Sequence, residues 1–235
     1  MLTFLGRGSA FCAENNCAYY TDGSRLVMFD CPMSAFQRLK QAGPDRLAGG
    51  RKVESITVLI THTHSDHAGG IGMLVHYCCY VLDIPVEIVA PSEDVAEDIR
   101  LILLRLEGCS KDAFRIIAPG QSGTGFVPVP TTHSPELSGR CFGWYGDIGG
   151  KRVVYTGDTN TLEPFLPCLT DGAYLYTEAS AYDSPVHLYI SKLEKIIPGL
   201  TARGIKVYLM HLDDEEKLAD AADKLGAELA PLFSE

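Results

Sequence analysis

The stretch that decides the reading of this chain is Ile56-Thr57-Val58-Leu59-Ile60 followed by Thr61-His62-Thr63-His64-Ser65-Asp66-His67-Ala68-Gly69-Gly70. Four of the first five residues are apolar and four are β-branched, the signature of a short buried strand. Three histidines and one aspartate then fall within six residues, His62 to His67. Imidazole and carboxylate are the ligands that zinc and other borderline transition metals prefer, and a tight loop at a strand end can aim alternate residues at one point. On spacing alone, His62 and His64 share one metal while Asp66 and His67 face another.

Outward from this motif the chain alternates short β-rich runs with helical ones. Strands are predicted at Leu2 to Leu5, Cys17 to Tyr20, Leu26 to Phe29, Ile56 to Ile60 and Val86 to Val89. A second series runs Phe126 to Val129, Cys141 to Tyr145, Arg152 to Tyr155, Ala173 to Tyr176 and Lys206 to Met210. The clearest helix is Ser92 to Glu107, with Ser92 as cap, Gly108 as stop, and Val95, Ile99, Ile102, Leu103 and Leu106 on one face. Further helices are predicted at Ser34 to Gln41, Gly70 to Val81, Leu188 to Ile197 and Asp214 to Leu225. Two groups of strands, each with helices, indicate an α/β (α+β) class with sheets covered on their outer faces. The Gly- and Pro-rich stretch Pro119 to Pro130 is read as a loop within one domain, residues 1–235, because candidate ligands lie on both sides of it.

Composition narrows the partners. Thirty acidic residues against twenty basic give a formal charge of -10 over 235 residues. Such a field repels polyanions, so long nucleic acid is disfavoured, and no run of Lys and Arg with interleaved aromatics offsets it. No basic start with a long apolar core opens the chain and no stretch reaches the length of a membrane span, so a cytoplasmic protein with no membrane partner is expected. The eight cysteines are scattered and are read as free thiols.

The block His62-x-His64-x-Asp66-His67 meets in full the H-x-H-x-D-H signature of the metallo-β-lactamase superfamily, which this sequence resembles over nearly its whole length. The family pattern continues with an isolated histidine after a strand, an aspartate after another, and a last histidine after a late strand. His133, Asp158 in Thr156-Gly157-Asp158-Thr159, and His211 in Tyr208-Leu209-Met210-His211 stand at those places. The resemblance implies a four-layer αβ/βα sandwich and two divalent metal ions, zinc first, with manganese or iron as alternatives. It implies that His62, His64 and His133 hold one ion, that Asp66, His67 and His211 hold the other, and that Asp158 bridges both. Asp158 stands where β-lactamases of the common classes place cysteine, which disfavours antibiotic hydrolysis, and His64 stands where flavodiiron oxygen reductases place glutamate.

Phe4-Leu5-Gly6-Arg7-Gly8-Ser9-Ala10, with Asn16 and Phe29-Asp30-Cys31, resembles the opening of the ribonuclease Z and small phosphodiesterase branch. That branch carries a glutamate and a histidine between the bridging aspartate and the last ligand, matched by Glu178 and His187. Two departures are a short connection between them and Tyr189 where a small hydroxyl residue is usual. The long basic arm with which ribonuclease Z grips transfer RNA has no counterpart. The expected activity is therefore hydrolysis of a small phosphodiester or nucleotide by in-line attack of a metal-activated water, with Asp66 orienting the nucleophile and His187, oriented by Glu178, donating a proton. A glyoxalase II-like thioesterase is the nearest rival, and a metal-binding protein without turnover is the rival of another class. A homodimer is expected by analogy only.

Overall fold

The computed structural model describes residues 1–234 and divides into two compact units. The N-terminal unit holds Leu2–Gly6 and Ala13–Gly123, with residues 231–234 returning to it. The C-terminal unit holds Arg7–Cys12 and Thr124–Ala230. The division falls inside the Gly- and Pro-rich stretch.

In the N-terminal unit, β1 (Thr3–Gly6), β2 (Cys17–Asp22), β3 (Arg25–Phe29), β4 (Ser55–Leu59), β5 (Val86–Val89) and β6 (Arg115–Ile117) form one sheet in that spatial order. The β1–β2 and β2–β3 pairs are antiparallel and the next three are parallel. Parallel neighbours need crossover connections, supplied by α1 (Met33–Ala42) and α2 (Pro44–Leu47), α3 (Ser65–Ala68) and α4 (Ile71–Tyr77), and α5 (Glu93–Arg100). The central strand β4 is buried at every position after Ser55, the pattern of a parallel strand covered on both faces.

Ser92 caps α5 as expected, its hydroxyl accepting from Val95 N–H at 3.3 Å. Val95, Ile99 and Leu103 are buried on the expected face, but Leu106 is 72% exposed. The reason is local. From Leu101 to Leu106 the helix bonds i to i+5, with Glu107 N–H donating to the Ile102 carbonyl at 2.9 Å, and the wider turn carries Leu106 off the α-helical face.

The C-terminal unit repeats the pairing pattern with β7 (Val127–Pro130), β8 (Phe142–Ile148), β9 (Lys151–Tyr155), β10 (Tyr174–Glu178), β11 (Lys206–Met210) and β12 (Glu228–Leu229). Its first two pairs are antiparallel and the last three parallel. The β10–β11 and β11–β12 crossovers are α6 (Ile190–Thr201) and α7 (Glu215–Leu225). Leu193, Ile197, Leu200, Leu218 and Ala222 pack with Leu175, Val207 and Leu209 of the sheet in one apolar cluster. Two mixed sheets with helices agree with the expected fold class. Among the described residues, no helix is long and apolar enough to cross a membrane.

Candidate metal centre

In each unit the chemistry-bearing residues follow the carboxyl ends of adjacent parallel strands, where open α/β sheets expose backbone for ligand binding. In the N-terminal unit, Phe29 of β3 pairs with Leu59 of β4, so the next residues, Asp30 and the run beginning at Ile60, emerge side by side. Asp30 is fully buried and takes a left-handed φ of 63°, costly for a residue with a side chain. Its carboxylate accepts Thr61 N–H at 2.7 Å, Thr61 Oγ1–H at 2.8 Å and His67 Nδ1–H at 2.8 Å. Burial pushes the Asp30 carboxyl up, while His67 and Thr61 pull it back. With Nδ1 committed to Asp30, His67 presents Nε2, the tautomer a metal-ligating histidine needs.

Asp66 and His67 lie on α3, a single helical turn, and not on the tight loop expected from the sequence. His67 Nε2 is 3.4 Å from Asp66 Oδ2, and His62 Nε2 is 3.0 Å from His64 Nδ1. Two donors bound to one zinc ion at ~2.0–2.1 Å stand roughly 3.0–3.4 Å apart. The His62–His64 pair therefore fits such an ion. Gly70 closes the motif because a Cβ there would meet the backbone of Pro32 and Cys31 at 2.6 to 2.8 Å. Gly70→Ala must displace backbone, and we expect it to lower stability by about 1–3 kcal/mol, read as a fall in denaturation midpoint.

In the C-terminal unit, β9, β10 and β11 are neighbours and deliver Asp158, Glu178 and His211 at their carboxyl ends. His211, like Asp30, takes a left-handed φ, 52°, directly after a buried strand. Asp158 Oδ2 is 3.6 Å from His133 Nε2 and 3.5 Å from His211 Nε2. These separations exceed a hydrogen bond and lie slightly above the roughly 3.0–3.4 Å of two donors on one ion. His133 Nδ1–H donates to the Val186 carbonyl at 2.9 Å, which turns Nε2 towards Asp158. Asn160 ties the same loops together, with N–H on the Thr132 carbonyl and Nδ2–H on the Pro185 carbonyl, both at 2.8 Å.

Glu178, the last residue of β10, is fully buried and accepts from Thr159 N–H and, at 2.8 Å, from His187 Nδ1–H. Ligand atoms of Glu178, His187 and His211 lie within 4.8 Å of one another, as do those of His133, Asp158 and His187. The His187 ring centroid lies 5.0 Å from that of His133 and 5.3 Å from that of His211, tilted against both. Burial alone would depress the His187 imidazole. The Glu178 hydrogen bond and charge, with Asp158 and Asp213 behind them, outweigh burial and push its pKa up to about 9. Burial raises the Glu178 carboxyl, the His187 bond pulls it back, and the nearby Asp158 charge raises it again. One proton is thus held on the pair through neutral pH.

Two supports had no role assigned from the sequence, although Asp30 stands in the Phe29-Asp30-Cys31 run. The Asp30 carboxylate lies 37 residues from His67 in the chain, and the Val186 group is a backbone carbonyl. Removing such an orienting partner typically weakens metal affinity 10–100-fold. We expect Asp30→Asn to weaken binding of zinc by roughly that factor, measured by competition with a chromogenic chelator.

A sequence model of the family described as "Anti-Pycsar protein Apyc1" matches residues 1–228. The chain belongs to this Apyc1 family. The Apyc1 protein of Bacillus phage vB_BveM-Goe7 is 27% identical over 243 aligned positions, covering 91% of this chain and 89% of that protein. The Integrator complex subunit 11 homolog of Dictyostelium discoideum is 28% identical over 165 aligned positions and 62% of this chain, which spans only 22% of that protein's length. Among solved structures, the metallo-β-lactamase fold protein YhfI of Bacillus subtilis superposes with TM-score 0.73 at 20% identity, over 97% of this chain and 94% of its own. Human tRNase Z, short form, superposes with TM-score 0.69 at 17% identity, over 99% and 97%. The fold of this Apyc1-family chain is therefore the metallo-β-lactamase fold. Its His and Asp donor sets suit divalent metal ions.

Proposed function

We propose that the protein is a phosphodiesterase that acts on a small phosphodiester or nucleotide, with both compact units forming one catalytic domain and the cytoplasm as its location. The observation that carries this reading is the Glu178–His187 pair, a proton-holding imidazole within ligand distance of Asp158 and His211. A thioester needs no such proton donor beside its carbonyl. A phosphodiester gains from one at the leaving or non-bridging oxygen.

His62, His64 and His133 would hold one divalent ion, Asp66, His67 and His211 the other, and Asp158 both. Zinc suits this nitrogen-rich set best. When bound, the pair of cations supplies an activated water and offsets charge on the phosphoryl oxygens. Asp66 orients the attacking water and accepts its proton. His187 directs Nε2 at the phosphate because Nδ1 is committed to Glu178, and Glu178 keeps that tautomer in place. Asp30 and the Val186 carbonyl hold His67 and His133 in the orientations these roles require.

The test is turnover of bis(p-nitrophenyl) phosphate, a panel of cyclic nucleotides and an acyl thioester by zinc-loaded protein, with His64→Ala as control. Cleavage of the phosphodiesters alone, lost in His64→Ala and with chelator, is expected. Thioester cleavage alone would move the assignment to the glyoxalase II-like reaction, and no turnover at all would leave a metal-binding protein.

A further inference from the structure

Two exposed aromatic side chains of the C-terminal unit have no part in its core. Phe11 is 103% exposed, the most exposed large apolar side chain among the described residues, and Tyr182 is 54% exposed. Both are carried by loops tied to one short turn, His211 to Asp214, directly after β11.

The Phe11 loop is fastened along its length. Leu212 N–H donates to the Arg7 carbonyl at 2.8 Å, Ser9 N–H to the Leu212 carbonyl at 2.9 Å, and Cys12 Sγ–H to the same carbonyl at 3.3 Å. Arg7 adds a forked pair to Glu215 at 2.6 and 3.1 Å and a bond to the Ala230 carbonyl at 2.7 Å. Phe11 is thus an apolar ring presented to water by a fixed loop.

Tyr182 is fixed from the opposite end of the same turn. Its hydroxyl donates to Asp214 at 3.1 Å and accepts from Lys217 Nζ at 3.0 Å, while that ammonium also lies 4.7 Å from the ring centroid. Asp213 accepts from Ser180 Oγ–H at 2.6 Å and Ala181 N–H at 2.8 Å, locking the start of the loop that ends in His187. Asp214 is paired with Lys217 at 2.7 Å and Glu215 with Arg7, which offsets two of the carboxylates beside the turn.

We propose that Phe11 and Tyr182 are the base-binding platforms of this site, stacking on the nucleobase of a nucleotide whose phosphate lies at the metal centre. The proposal rests on the phosphodiesterase reading for the position of the phosphate. Every base has a π-face, and stacking on an aromatic ring is typically worth ~1–3 kcal/mol, or roughly 5- to 150-fold in affinity. Pre-fixed rings collect that gain without an ordering cost at binding.

The experiment compares calorimetric affinities of the zinc-loaded protein for a nucleoside 5′-monophosphate and for ribose 5-phosphate, neither of which is a phosphodiester. The wild-type protein is expected to prefer the base-bearing ligand at least about tenfold, Phe11→Ala/Tyr182→Ala to lose the preference, and Phe11→Tyr to keep it. Both side chains are more than half exposed, and an unchanged denaturation midpoint verifies that the double variant is folded. Equal affinity of the wild-type protein for the two ligands, or a preference that survives the double substitution, overturns the proposal. A preference that behaves as expected, in a protein that cleaves neither bis(p-nitrophenyl) phosphate nor any cyclic nucleotide, overturns the phosphodiesterase reading and supports the platforms.

Discussion

Asp158→Ala is expected to lower zinc content from two ions per chain to one or fewer and to cut phosphodiester turnover by at least ~1,000-fold. Asp158 stands 3.6 and 3.5 Å from two imidazole nitrogens on separate loops, so its carboxylate is common to both donor sets of the C-terminal unit. If Asp158 holds both ions as proposed, its loss withdraws several kcal/mol of transition-state charge stabilisation, and each 1.36 kcal/mol is tenfold in rate. Zinc per chain by plasma mass spectrometry, measured beside turnover on the same sample, checks both parts. Two ions retained with full turnover would remove Asp158 from the site. Asp158→Asn is the informative second variant. It keeps shape and one acceptor oxygen but loses the charge, so it is expected to retain more metal than Asp158→Ala while remaining slow.

The fold could be read from the sequence wherever burial imposes a period. The buried runs Ile56 to Leu59 and Val207 to Met210 lie on strands because parallel strands are apolar at successive positions. The ten expected strands all exist, but β6 and β12 are additional. Each is an edge strand of two or three residues with a charged residue, Arg115 or Glu228, and so has no stretch long enough for a pattern to show. Leu106 misled because its helix changes hydrogen-bond register, which composition does not mark.

The candidate site divides along the same line. His62, His64, Asp66 and His67 stand out because they are close together in the chain, and His133, Asp158 and His211 because the family resemblance expects such residues after those strands. Asp30 was legible only as part of the Phe29-Asp30-Cys31 run, because a lone Asp after a strand is too common to mark a role. Its role exists only once parallel pairing of β3 with β4 sets it beside Thr61 and His67. The left-handed backbone at Asp30 and His211 is equally invisible in composition. Its recurrence at two strand ends that carry site groups marks where the chain accepts strain to aim a side chain.

The second large effect is expected at the Glu178–His187 pair and is separable from metal binding. His187→Ala is expected to lower kcat by about 100- to 1,000-fold while zinc content stays at two, since a positioned proton donor is worth roughly that much. The pair also has its own pH signature. The His187 pKa is pushed up to about 9, above the value near 6.5 of an unfolded histidine, so the favoured state is protonated. In metal-free protein the pair therefore stabilises the fold fully below about pH 6.5 and loses that contribution as pH rises through about 9. The denaturation midpoint of chelator-treated protein should fall over that window, and the fall should be absent in His187→Ala. Glu178→Gln removes the charge that raises the imidazole and should move its titration, followed by NMR, towards lower pH. Bound dications repel the imidazolium, so metal loading shifts the same titration in the same direction. A His187→Ala variant that turns over at the wild-type rate would sink the proton-donor role. Equal losses of zinc and rate would make His187 a metal ligand instead, a role its ligand-distance grouping with Asp158 and His133 allows.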